Sequence, residues 1–201
     1  MLTILTPATT NHLTSVDRVK TELSITGSAE DAKILSFISE ASGLVTAYCG
    51  RNTFGVQTVR QTERLSCSRD CIIMALDLDP GIDSVTVDGT ALAGTEYELD
   101  GSLLYRLDAS DKRVAWDGGT KVVIEYDAGF VLLTTLPEAI ERAAIDLVVG
   151  MYRGAGRDMA VRQEVVEGIG STSYFGTSAG SVPLSAERLV ALQRFRLVSI
   201  G

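Results

Sequence analysis

The spacing of apolar residues changes twice along this chain, and this change constrains the fold more than any other feature. Up to about residue 50, apolar side chains recur every three or four positions, which predicts amphipathic helices. Between about residues 54 and 131 the period falls to two, which predicts short strands, and the helical period returns after Pro137. We therefore expect an α+β fold, in which an antiparallel β unit at about 54–131 is inserted into a small helical bundle.

Four helices are predicted, at about 15–23, 28–49, 137–153 and 185–196. Serine is a favoured N-cap residue, and three of these helices are predicted to have a serine cap: Ser15, Ser28 and Ser185. Pro137 is predicted to occupy the first position of the third helix, where its missing N–H costs nothing. Gly50 is predicted to end the second helix in a left-handed conformation.

Six strands are predicted in the β unit, separated by turns rich in Asp, Gly and Pro. They are Val56–Leu65, Cys71–Leu78, Ser84–Val87, Glu96–Leu99, Leu103–Leu107 and Lys121–Tyr126. Residues 1–53 and 132–201 are then predicted to form a helical hub that ends in a C-terminal interaction segment. Residues 54–131 are predicted to form an inserted β subdomain.

The negative net charge of the chain is concentrated in the predicted β unit. The formal net charge of the 201-residue chain is −8, and residues 54–136 carry seven basic and fourteen acidic side chains. Because affinity for phosphates needs clustered Lys and Arg, we expect the chain to bind duplex DNA poorly and without sequence specificity. No apolar run approaches the roughly 20 residues of a membrane span, and the first residues do not resemble a signal peptide, so we expect synthesis in a bacterial cytoplasm and no membrane partner.

The sequence offers no convincing catalytic or metal site. The only histidine is His12, which disfavours Ser-His-Asp and Cys-His catalysis. Cys67 and Cys71 are too few for a structural zinc site, and the aspartates between residues 77 and 83 lack the calcium-loop pattern. The glycines at 154–156 and 168–170 do not match a phosphate loop. We therefore predict no enzymatic activity, no metal and no cofactor.

Several stretches, most of them outside the β unit, resemble one known family. They are Val19–Leu23, Glu30–Ile38, Ala41–Arg51, Tyr126–Phe130, Leu136–Ile140, Met151–Arg153 and Gly168–Tyr174. On these residues the chain resembles the phage head–tail connector family, also called adaptor or head-completion proteins, which includes adaptors of gene-transfer particles. The resemblance implies a homo-oligomeric ring in the virion neck, around the DNA channel, between the portal protein and a stopper or tail-terminator protein.

Two segments are predicted to make the contacts that this resemblance implies. The C-terminal segment is basic and apolar, and it is predicted to dock on the portal through Arg188, Leu192, Arg194, Phe195, Arg196, Leu197 and Val198. The Gly-rich segment before it is predicted to reach the next subunit, adding a strand by edge pairing, through Val161, Arg162, Glu164, Val165, Val166 and Tyr174. Deletion of residues 188–201 is expected to leave a folded chain.

Two other functions remain open on the sequence. One is a tail-completion or stopper protein of the same kind of particle. The other belongs to a different class: a cytosolic ligand-binding domain with an OB-like β unit, which would need a concave pocket with convergent polar groups.

Overall fold

The computed structural model describes residues 1–76, 78–155, 163–166, 170–173 and 184–197. The chain divides into two compact units: a β unit of residues 1–10 and 53–135, and a helical unit of residues 11–52 and 136–201. Helices and antiparallel sheets both contribute extensively, which confirms the predicted α+β class.

The β unit contains two antiparallel sheets. Its strands are β1 (Leu2–Thr6), β2 (Gln57–Arg64), β3 (Ile72–Ile73), β4 (Gly81–Val87), β5 (Thr90–Ala91), β6 (Tyr97–Asp100), β7 (Leu103–Leu107), β8 (Arg113–Val114) and β9 (Lys121–Ala128). One sheet has the order β1-β2-β9-β4-β5. The other has the order β3-β7-β6, with β8 also pairing to β7.

Alternate residues of the central strand β9 build the core of the β unit. Val122, Ile124 and Tyr126 are fully buried, as the period of two predicts. Trp116 is also fully buried, and its indole N–H donates to the carbonyl of Leu104 over 3.2 Å. Burial of each large apolar side chain contributes about 1.5–3 kcal/mol, so these side chains stabilise the unit.

The predicted strand Cys71–Leu78 is wrong for most of its length, because only Ile72–Ile73 is a strand among the residues of this range that the structure describes. Side chains of the neighbouring sheet take the place of a ladder there. Gln61 Nε2 donates to Ile73 O over 2.9 Å, and Ala75 N donates to Gln61 Oε1 over 2.8 Å. The Leu76 amide donates to the Tyr126 hydroxyl over 3.0 Å. These three backbone groups are thus satisfied by side chains instead of by strand pairing.

The strand β1 is not among the predicted strands. Residues 1–53 are predicted to belong with the helices, whereas residues 1–10 belong to the β unit. Leu2, Thr3 and Ile4 pair antiparallel with Gln61, Arg60 and Val59 of β2. The partner strand lies more than fifty positions away, so local sequence carries little signal for this pairing.

The helical unit contains, within the described residues, α1 (Val16–Leu23), α2 (Asp31–Tyr48), α3 (Glu138–Gly154) and α4 (Ala186–Gln193). It also contains the hairpin strands β10 (Gln163–Val166) and β11 (Gly170–Ser173). Buried apolar residues of α2 and α3 share one core: Ile34, Ile38, Ala41, Val45, Ile140, Ala144, Leu147 and Val148. None of the helices in the described part of the chain has the length and apolarity that a membrane crossing needs.

The helix ends confirm some of the predicted caps and correct others. Ser15 and Ser185 are N-caps whose hydroxyls accept from the N–H groups three positions later. Gly50 has a φ of 65°, as predicted. Ser28 is not a cap: α2 begins at Asp31, whose carboxylate instead lies 2.8 Å from Lys20 Nζ of α1.

Two more boundaries differ by a few residues. Pro137 is the N-cap of α3 and lies outside the helix, with a ψ of 131°. The helix α4 ends at Gln193, three residues short of the prediction, because Phe195 and Arg196 continue in tight turns.

Candidate interaction surface

The terminal helix α4 packs against α3 and also contacts the C-terminal end of α2. Leu192 is fully buried and Phe195 is 8% exposed. The Tyr48 hydroxyl lies 3.5 Å from Leu189 O, and the Leu197 amide donates to Cys49 O over 2.9 Å. The predicted docking residues Leu192 and Phe195 are therefore core residues of the helical unit.

A buried arginine holds the end of α4. Arg51 is 8% exposed, and its Nε donates to Phe195 O over 2.6 Å. A hydrogen bond from a charged donor contributes about 1.5–3 kcal/mol, so Arg51 stabilises the position of the segment that follows α4. This contact was not predicted, because Arg51 and Phe195 are far apart in the chain and neither carries a local signal for it.

An ion-pair network ties α1, α3 and α4 together. Arg142 makes two hydrogen bonds to the Glu22 carboxylate, over 2.7 and 2.9 Å, and also lies 3.2 Å from Asp146. Arg188 Nε lies 2.8 Å from the other Asp146 oxygen. The Arg142 hydrogen bonds lower the pKa of Glu22, and Glu22 in turn raises the pKa of Arg142. Arg188 is thus engaged within its own unit.

The remaining docking candidates lie on the surface. Arg194 and Arg196 are exposed, and Leu197 is 38% exposed. The Arg194 guanidinium lies 4.6 Å from the Phe195 ring centre, and that of Arg196 lies 5.5 Å from the Tyr48 ring centre. We call Arg194, Arg196 and Leu197 the terminal surface. The remaining predicted docking residue, Val198, lies outside the described residues.

A groove of about 690 Å³ borders the terminal surface. Its lining is mainly basic and comes from α3, α4 and the turn after α4: Glu138, Ala139, Arg142, Arg188 and Arg194. Since Arg142 and Arg188 already pair with carboxylates, Arg194 is the lining cation best placed to meet a group from outside.

The residues predicted to contact a neighbouring subunit are only partly described. Glu164, Val165 and Val166 lie in β10, which pairs antiparallel with β11 in the register Glu164↔Thr172. Val161, Arg162 and Tyr174 lie outside the described residues.

The burial of α4 changes the expectation for a C-terminal deletion. Loss of residues 188–201 would remove Leu192 and Phe195 from the core, together with the Phe195 carbonyl that accepts from Arg51 Nε. Each large-to-small change in a core costs about 2–5 kcal/mol, so this deletion would destabilise the helical unit. Substitutions on the terminal surface test docking without that effect.

Cys49 reports on the docking of α4. Its thiol is fully buried, and burial raises its pKa, so it is a poor nucleophile. We expect Arg51→Ala to speed labelling of Cys49 by a thiol reagent roughly 10- to 100-fold, because α4 would open more often. Mass spectrometry measures the rate, and exposed Cys67 serves as an internal reference.

The matched control for this labelling experiment is Arg153→Ala, at an exposed arginine of the same unit. It should leave the labelling rate of Cys49 unchanged. Equal rates in Arg51→Ala and in the unsubstituted chain would show that Arg51 does not hold α4.

Among the described residues, no group of three or more His, Cys, Asp or Glu side chains is arranged to hold a metal ion. Cys67 is exposed and Cys71 is half-buried, and both are free thiols.

Comparison with known proteins places the chain in a family. The family model for head completion proteins matches residues 12–194. None of the curated protein sequences matches the chain.

Solved structures from gene transfer agent (GTA) particles share the fold. The structure entitled "Neck of empty GTA particle computed with C6 symmetry" is 20% identical, with a TM-score of 0.54. The neck of the native particle, computed with C12 symmetry, is 17% identical with a TM-score of 0.54, and the native virion gives 18% and 0.52. Each alignment covers 100% of this chain and 97% of the other. Since the family model spans nearly the whole sequence, the chain belongs to the head completion protein family.

Proposed function

We propose that the chain is a non-enzymatic structural component of the neck of a tailed phage or gene transfer agent, where it connects head and tail. The observation that carries this proposal is the match to the head completion family over residues 12–194. The likeness in fold to chains from GTA necks supports the same location.

Within the neck, the chain forms a homo-oligomeric ring around the DNA channel. The GTA neck structures that share the fold were computed with C6 and C12 symmetry, which supports a ring. A head-to-tail interface between identical subunits closes into a ring when its rotation permits. The acidic β unit, with a net charge of −7 over residues 54–136, favours passage of DNA over binding, because like charges repel the phosphates.

The terminal surface docks on the portal protein. Arg194 and Arg196 stand exposed at the end of α4, beside the partly exposed Leu197. Arg51 and the buried Leu192 fix the position of this surface from beneath. Planar guanidinium groups suit carboxylates, so the portal partner presents an acidic groove with an apolar floor. The stopper or tail-terminator protein binds the opposite side of the ring.

Charge reversal on the terminal surface tests the docking. The free energy of unfolding of the double variant Arg194→Glu, Arg196→Glu should lie within about 1 kcal/mol of that of the unsubstituted chain, because both side chains are exposed. It should nevertheless yield DNA-filled heads without tails, as seen by electron microscopy of particles. The matched control reverses two exposed arginines of the β unit, Arg64→Glu and Arg69→Glu, and should yield normal particles.

Normal tailed particles from the terminal-surface variant would refute portal docking. Presence of the chain only on tails that are separate from heads would favour the alternative role as a tail-completion protein.

A further inference from the structure

Strand β1 presents an open edge. It is the terminal strand of the five-stranded sheet, and among the described residues only β2 pairs with it. All five of its residues are exposed. A register shift after Ile4 and the ring of Pro7 confine the regular part of this edge to its first residues.

The open backbone groups of β1 belong to Leu2 and Ile4. Met1 and Thr62 exchange two hydrogen bonds, of 2.7 and 2.8 Å, and so form a hydrogen-bonded pair of the ladder. Because such pairs alternate along an antiparallel ladder, Leu2 and Ile4 direct their N–H and C=O groups away from β2.

The side chains of the same two residues are incompletely covered. Leu2 and Ile4 lie opposite Gln61 and Val59, which are buried, so they share the core-facing side of the sheet. They remain 40% and 47% exposed, at the terminal strand of the sheet. One added strand would therefore satisfy the backbone groups and cover the side chains at the same time.

Natural edge strands are usually protected by charged side chains, and β1 is not. The first sixteen residues contain no Asp, Glu, Lys or Arg, in a chain of net charge −8. Two copies of an acidic chain repel each other least where they are neutral, so this edge suits a second copy.

The hairpin β10–β11 supplies a strand of matching length. Its β10 has four residues and pairs with β11, and among the described residues no other strand pairs with the hairpin. A two-stranded hairpin alone is marginally stable in water, and a third strand is what stabilises such a unit.

We propose that β10 of one copy adds to the open edge of β1 in a neighbouring copy, forming a continuous sheet across the two subunits. The proposal rests on the ring of the proposed function, and it identifies the strand that receives the neighbour. Because β1 and β10 are different surfaces, the contact is head-to-tail and can propagate around a ring.

Mixed cysteine pairs test the contact directly. In a background of Cys67→Ser and Cys71→Ser, one chain carries Ile4→Cys and the other carries cysteine at one of the positions 163–166. On oxidation we expect a mixed-chain disulfide for at least one of these positions. Because alternate side chains of a strand share a face, two positions that both form the disulfide should be two residues apart, and the position between them should form less of it. Absence of any mixed disulfide would overturn the proposal. The proposal would also be overturned if a chain that carries both cysteines formed the disulfide only within itself and never between chains.

Two substitutions test the contact in particles. Ile4→Pro removes an N–H that points away from β2, so it spares the β1–β2 ladder while blocking an added strand. Ile4→Lys places a charge on the same edge. Both should lower incorporation of the chain into necks about tenfold or more, whereas Leu133→Lys, at a residue 53% exposed in the same unit, should not.

The outcomes separate this contact from the proposed function. Full incorporation of both Ile4 variants would overturn the strand pairing and leave the neck role intact. Absence of the unsubstituted chain from particles would refute the neck role, while the mixed-disulfide result would still decide the pairing.

Discussion

Replacing Gly129 with alanine should destabilise the β unit by about 3 kcal/mol or more. Gly129 has a φ of 121°, a backbone conformation that residues with a side chain rarely adopt. A Cβ there would lie 2.6 Å from the Gly55 carbonyl carbon and 2.9 Å from the Val56 nitrogen. Both of these atoms belong to the backbone, and the Gly129 amide donates to Leu78 O over 2.8 Å. A small movement of a side chain therefore cannot relieve the clash.

Urea denaturation followed by the fluorescence of Trp116 measures this effect, because Trp116 is the only tryptophan and lies in the core of the β unit. The matched control is Gly119→Ala. Gly119 also has a positive φ, of 85°, but nothing lies within 4 Å of its added Cβ, so only backbone strain of about 1 kcal/mol is expected. Equal costs for the two variants would show that the close approach of the chain at Gly55 is not needed for the fold.

Replacing Leu192 with alanine should destabilise the helical unit by about 2–5 kcal/mol. Leu192 is fully buried, and its removal leaves a cavity beneath the turn that carries Arg194 and Arg196. The same helix provides a control in Val190→Ala, because Val190 is 65% exposed and its truncation should cost less than about 0.5 kcal/mol.

Thermal unfolding followed by far-ultraviolet circular dichroism measures the stability difference, and the labelling rate of Cys49 shows whether α4 has opened. A loss as small for Leu192→Ala as for Val190→Ala would mean that α4 is not part of the core. In that case Leu192 would return to the set of residues available to a partner.

The sequence predicted the features of the fold that depend on local chemistry. Ser15 and Ser185 were identifiable as caps, because a serine followed by a run of helical spacing has a direct physical role. The period of two predicted the strand β9, and the turn glycines marked most strand ends.

The features that the sequence did not predict depend on contacts between distant residues. β1 exists because β2 lies beside it, and the loop after β3 takes its shape from the side chains of Gln61 and Tyr126. Ser28 has the chemistry of a cap, but the helix starts three residues later, at Asp31, whose carboxylate pairs with Lys20. None of these contacts has a local pattern in the sequence.

The candidate interaction surface was predictable only as a composition. The basic and apolar character of the C-terminal segment was evident from the sequence. Which of its residues are buried and which are exposed was not. The structure separates Leu192 and Phe195, which fasten α4, from Arg194, Arg196 and Leu197, which lie on the surface. The open edge of β1 likewise became visible only when its place at the end of the sheet was known.

Localisation of the chain in intact particles tests the central claim most directly. Cryo-electron microscopy of particles that carry the chain would show where it lies, with a tagged chain as a marker. The account predicts a ring of copies in the neck, between the portal and the tail, with α4 toward the portal. Density for the chain at the tail tip, or particles that assemble completely without it, would contradict a role in joining head to tail.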